Sequence, residues 1–188
     1  EMDFVHSVLS TGPNKIYKDF LLNGEIRDQD LDKLISDAPA RNSQDEGFVK
    51  PIIMGYQNNS VELISDIEEL LSFCKKNNIN TKVLINPVYR STFLVNNCDL
   101  FFDFLNRLVT VTDFYDFSNH NKITTNSYYF YEPVHYRPIV GNAMVDLIYY
   151  NKRIDSIPDF GEFITKENIN VHLEKLRKEV VMEIQKKP

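Results

Sequence analysis

NSVELISDIEELLSFCKKNNINTKVLINP, residues 59–87, couples an amphipathic helix to an apolar strand. Asn59 and Ser60 suit a helix N-terminus, and Glu62 stands three residues after Asn59, in the capping-box position. Leu63, Ile64, Ile67, Leu70, Leu71 and Cys74 then recur at the helical period of about 3.6 residues, which makes one apolar stripe. Lys75 and Lys76 complement the negative end of that helix, and Asn77-Asn78 ends it. Thr81–Ile85 follows as a short buried strand that closes at Asn86-Pro87. A helix feeding a buried strand is half of a βαβ crossover, and it implies a parallel sheet covered on both faces.

The same pattern repeats downstream. Leu100–Val109 reads as a second apolar helix and Val109–Phe117 as a second strand, with Asp113 and Asp116 near its exit. Thr81–Ile85 and Val111–Asp116 are therefore expected as neighbouring parallel strands, with the Leu63–Cys74 helix against one face. Asn119–Ser127 is an Asn/Thr-rich loop leading into the aromatic run Tyr128–Tyr131. Val140, Ala143, Met144, Leu147 and Ile148 form a further helix face, and Pro158–Gly161 is a connector. The last helix, Ile169–Gln185, has Leu173, Leu176, Val180 and Ile184 on one stripe and charge elsewhere, so it packs on the outside of the domain.

On the N-terminal side, Phe4–Leu9 is a short apolar run that ends in the turn Ser10-Thr11-Gly12-Pro13-Asn14. A short helix with Ile16, Tyr17, Phe20 and Leu21 on one side closes at Gly24, and residues 39–47 read as a polar surface loop. The expected architecture is α/β: a three-layer, flavodoxin-like sandwich with a mainly parallel sheet over residues 1–166, and a C-terminal outer helix over 167–188.

Composition narrows the function. At 188 residues the chain can bury a core of its own. A net charge of −6 leaves no domain-wide basic surface for neutralising phosphates, which argues against nucleic acid as a partner. Cys74 and Cys98 lack metal-type neighbours, and Cys74 reads as buried packing. The histidines show no His-x-x-x-His pairing and the glycines form no phosphate cradle, so no metal or cofactor is expected. No run approaches the ~18 apolar residues of a membrane span, so membrane contact is not indicated. The chain starts with Glu1 ahead of Met2, as a trimmed piece of a longer product would.

The chemistry concentrates in Tyr131-Glu132-Pro133-Val134-His135-Tyr136-Arg137-Pro138. Pro133 and Pro138 stiffen this loop and push the residues before them out of the helical region. A carboxylate held beside an imidazole accepts from one ring nitrogen and leaves the other free to take a proton. The bland alternative is an aromatic-rich loop whose histidine satisfies a backbone group. The loops after the strands, Asn86–Arg90 and Asp116–His120, should meet the Glu132/His135 loop on one rim, because ligands bind outside the carboxyl ends of parallel strands. Asn86, Arg90, Tyr136 and Arg137 are the candidate substrate-binding residues there.

A strand ending in Asn86-Pro87-Val88, a later one ending in Asp116-Phe117-Ser118, and Glu132-Pro133-Val134-His135-Tyr136-Arg137-Pro138 before Val140-Gly141 and a helix together resemble the C-terminal half of SGNH (GDSL-type) hydrolases. The nearest branch is the one tied to bacterial cell-surface polysaccharides. The resemblance implies that Glu132 orients the ring and His135 is the base of a serine triad, with glutamate where the family usually has aspartate. It implies a serine esterase or O-acyl-transfer domain acting on an acylated glycan or small acyl ester in the cell envelope or periplasm. The family's Gly-x-Ser nucleophile and Gly-x-Asn-Asp block are missing from this chain. Either the serine lies upstream in a longer protein, or Phe4–Leu9 is the first strand and Ser10 sits in a degenerate nucleophile turn. A sheet lacking its first strand exposes an apolar edge, which Phe4–Leu9 or another protomer would cover, so an oligomer is open. The reading from a different class is a non-catalytic domain that binds glycans or proteins with the nucleophile gone.

Overall fold

The computed structural model describes Phe48 and residues 60–185. Ser10, Phe4–Leu9, the Asn59 cap and the loop at 39–47 lie outside the described residues. The elements, in order, are α1 (Ser60–Lys76), β1 (Leu84–Ile85), α2 (Arg90–Val95), α3 (Cys98–Val111), β2 (Phe114–Asp116), a 3-10 turn (Ser127–Tyr129), β3 (Phe130–Glu132), β4 (His135–Tyr136), α4 (Pro138–Tyr150), β5 (Glu162–Ile164) and α5 (Ile169–Gln185). The fold is α/β.

Helix α1 ends at Asn78, which takes the left-handed conformation (φ 55°), and the Ile79 N–H returns to the Cys74 carbonyl at 2.9 Å. That closure satisfies a carbonyl the helix would otherwise leave open. The inward line of α1 is narrower than the expected stripe. Ile64 and Ile67 pack on the core and Cys74 is buried, whereas Leu63 and Leu70 are exposed. Helix α3 packs beside α1, and the Ser60 hydroxyl donates to Asp103 Oδ2 across the pair at 3.1 Å. Asn97 caps α3 by accepting from Leu100 N at 3.1 Å.

β1 and β2 are neighbouring and parallel, with Leu84 opposite Tyr115 and Ile85 opposite Asp116, as expected. Both strands are shorter than expected. The β-branched residues at the end of α3 stay helical because Leu105, Leu108 and Val109 keep the helical period into the core. The sheet of the described residues is also mixed rather than mainly parallel. β5, an element sequence patterning does not reveal, pairs antiparallel with β2 and gives the order β1-β2-β5.

Successive strand residues serve different cores, as the pleat requires. Phe114 and Ile85 join a cluster with Phe102, Leu105 and Leu108 of α3 and Leu173 and Leu176 of α5. Tyr115 and Leu84 pack on a second cluster built from Phe117, Phe130 and the Val140, Met144 and Leu147 face of α4. Helix α5 thus contributes to the main core, while Ile184, at its end, is exposed.

Gly161, the residue before β5, has φ +81°, and a Cβ there would run into the buried Phe117 ring and come within 2.7 Å of Leu147 Cδ2. Both atoms belong to packed side chains that cannot move freely. Gly161→Ala is expected to cost about 2–4 kcal/mol, from left-handed strain plus overpacking, read as a lowered urea midpoint with an unchanged slope.

Candidate functional site: a carboxylate–imidazole pair on a hairpin

The three-residue spacing of Glu132 and His135 is the spacing of a β-hairpin. Pro133 and Val134 make the turn, and Glu132 and His135 stand directly opposite each other in the register. Directly opposed side chains in an antiparallel pair are close neighbours, so the Glu132 carboxylate meets His135 Nδ1. The His135 side chain is otherwise open, at 77% exposure, against 36% for Glu132.

The loop after β1 fixes the hairpin in place. Tyr89 N–H donates to the Pro133 carbonyl at 2.7 Å, and the Tyr136 hydroxyl donates to Asn86 Oδ1 at 3.2 Å. Tyr89 also meets Phe130 edge to face, with ring centroids 5.9 Å apart. Asn86 and Tyr136 are therefore brought together, at the carboxyl end of β1. Tyr136, and not His135, lines a groove of about 360 Å³ with Leu84, Gly141, Met144 and Ile148. Alternation along β4 separates the two side chains.

The two arginines are placed differently from surface ligands. Arg90 is buried, and its guanidinium is taken by Glu183 of α5, with Nε 2.9 Å from Oε1 and Nη2 at 2.8 Å. The same Glu183 oxygen lies 2.8 Å from His120 Nδ1, and the His120 N–H donates to Glu179 at 2.9 Å. Arg90 Nη1 also reaches the Ser118 carbonyl at 3.5 Å, so the loops after β1 and β2 do meet, through an internal ion cluster. Arg137 is buried as well: Nη1 donates to the Tyr128 carbonyl at 2.7 Å, and the guanidinium lies 4.4 Å from the Tyr128 ring centroid.

A second imidazole, His172, is absent from the residues singled out by sequence. It lies within α5, buried, with Nε2 2.7 Å from Asp116 Oδ2 and Nδ1 3.2 Å from Glu162 Oε2. Both partners are carboxylates, so the ring must supply a proton to each and is an imidazolium. Burial disfavours that charge, but the hydrogen bonds to Asp116 and Glu162 outweigh it and raise the His172 pKa from 6.5 to about 9. The hydrogen bond to His172 in turn lowers Glu162 from 4.5 to about 2. Asp116 Oδ1 accepts from Ser118 N at 2.8 Å. With both ring nitrogens committed, His172 is a bolt between β2, β5 and α5 and not a base. Its sequence signal is its register: it falls three after Ile169 and four before Leu176, on the buried face of α5.

Among the described residues, no group of His, Cys, Asp and Glu is arranged to hold a metal ion, and no helix is long and apolar enough to cross a membrane. Cys74 and Cys98 are free thiols. Comparison of the chain with protein-family models, with curated proteins and with solved structures gives no match.

Proposed function

We propose that this chain carries the acid and base of an SGNH-like serine acyl-transfer site, an esterase or O-acyltransferase working on an acylated glycan of the cell envelope. The observation that carries the reading is the opposed Glu132–His135 pair, in which Glu132 Oε1 is in ion-pair contact with Nδ1 and accepts no other hydrogen bond among the described residues, while the rest of the ring is open to solvent. A carboxylate on Nδ1 holds the tautomer in which Nε2 is unprotonated and ready to take a hydroxyl proton. The nucleophile comes from outside the described residues, either Ser10 or a serine upstream. In this reading the complete sheet is that of a three-layer, flavodoxin-like sandwich, and a further strand enters beside β1. Parallel β1–β2 pairing, apolar clusters fed by alternating strand residues and the position of β1 at the edge of the sheet among the described residues support it.

A second reading is a glycan- or protein-binding domain without catalysis. It is favoured by the internal engagement of Arg90 and Arg137, which leaves Asn86 and Tyr136 as the polar contacts nearest the hairpin. Acetate release from an acetylated polysaccharide separates the two. With the serine upstream, the 188-residue chain alone is expected to release acetate near the background rate, since loss of a positioned nucleophile costs on the order of 10⁶ in a serine hydrolase; with Ser10 as the serine the chain turns over and Ser10→Ala abolishes it. The product of the full reading frame is expected to turn over. Background release by both, with retained binding of the polysaccharide, establishes the second reading instead.

A further inference from the structure

We infer that Arg137 is a positioning residue that sets the His135 ring against Glu132, and not a ligand for substrate; the inference rests on the acid–base reading of that pair. Arg137 directly follows β4 and is the N-cap residue of α4. Its backbone N–H donates to the Tyr129 carbonyl at 2.9 Å and its Nη1 to the Tyr128 carbonyl at 2.7 Å, so one residue holds two consecutive carbonyls of the 3-10 turn that leads into β3. Its guanidinium also lies against the Tyr128 ring. The two strands of the hairpin are joined at their open end by this residue, while Tyr89 holds the turn at Pro133 from the other end.

The two-residue turn sets Glu132 opposite His135, but the hairpin is short and its register is irregular between Phe130 and Glu132, so its ladder holds the open end only weakly. The clamp at Arg137 fixes that end, and with it the course of β4 that carries the His135 ring. A planar, permanently charged fork stacked on an aromatic face suits the task, because it meets the Tyr128 carbonyl and ring at once in a buried place. A guanidinium in this position points its donors into the protein, which is what separates it from a substrate ligand at the rim.

Ring-nitrogen NMR of ¹⁵N-histidine-labelled full chain tests this without any turnover, with the His135 signals assigned by their loss in His135→Ala. The wild-type ring is expected as the Nδ1–H tautomer. Arg137→Gln is expected to move it toward Nε2–H, with the Phe114–Asp116 amides unmoved, and Arg137→Lys to fall between. An Arg137→Gln ring indistinguishable from wild type overturns the inference. If Arg137→Gln does not fold, Arg137→Lys and Tyr128→Leu decide: wild-type ring signals in both overturn it, and a shift in either supports it. Glu132→Gln, run in parallel, addresses the acid–base pair separately. A ring unaffected by Glu132→Gln defeats that reading, whereas the Arg137 comparison is made against wild type alone.

Discussion

Asp116→Ala is expected to destabilise the fold by about 3–5 kcal/mol, the usual cost of removing one partner from a buried ion pair. The variant leaves the His172 imidazolium in the core with only Glu162 to answer it and strands the Ser118 N–H that Asp116 now accepts. Replacing the pair together, as Asp116→Asn with His172→Gln, should cost less than the sum of the single changes, because neither partner is then left charged and alone. Urea titration of Asp116→Ala, of Asp116→Asn and His172→Gln singly, and of the double variant measures this.

The pH dependence follows from the same interaction. His172 has its folded pKa raised to about 9 from 6.5, so its contribution is fully present below pH 6.5 and is lost as pH rises through 9. Glu162 is depressed to about 2 from 4.5, so its contribution is present above pH 4.5 and is lost as pH falls through 2. These are two faces of one contact and are not added. The bolt is therefore at full strength between about pH 4.5 and 6.5, and the alkaline fall in stability should flatten in His172→Gln.

In the proposed acyl-transfer reading, His135→Ala is expected to lower kcat of the catalytically complete protein by about 10⁴–10⁶-fold, since a triad acts as a unit. Glu132→Gln keeps the side chain's shape but loses the charge and can present an N–H to Nδ1 in place of an acceptor, and a loss of about 10⁴-fold is expected. KM should change little in either variant, because neither group is assigned to ground-state binding. Steady-state kinetics on a small acetyl ester, with thermal melts as a fold control, measures both. The exposed position of His135 makes unfolding of these variants unexpected, which separates them from the Asp116 series.

The long helices were legible because their apolar positions repeat; Ile169–Gln185 is helical over the span its pattern indicates. The parallel pair β1–β2 was legible as apolar runs that follow helices. β5 was not: Glu162-Phe163-Ile164 is three residues with no alternation to read, and its place is decided by Asp116 and Tyr115 far earlier in the chain. The start of β2 lies later than the sequence indicates because the β-branched residues at the end of α3 suit strand and helix alike. At the candidate site, the Glu132–His135 contact could be read because both residues share one turn. The burial of Arg90 could not, since its carboxylate partner lies 93 residues away on α5. Nor could Arg137, whose partners are backbone carbonyls that any residue supplies.

Fluorophosphonate labelling reads the Glu132–His135 pair at work, because the reagent reports a serine hydroxyl that an imidazole has activated. A labelled serine is expected in the product of the full reading frame, with labelling abolished by His135→Ala and strongly reduced by Glu132→Gln. For the 188-residue chain no labelling is expected; should the chain label, Ser10→Ala must remove it. A serine that labels equally well in His135→Ala would contradict the account.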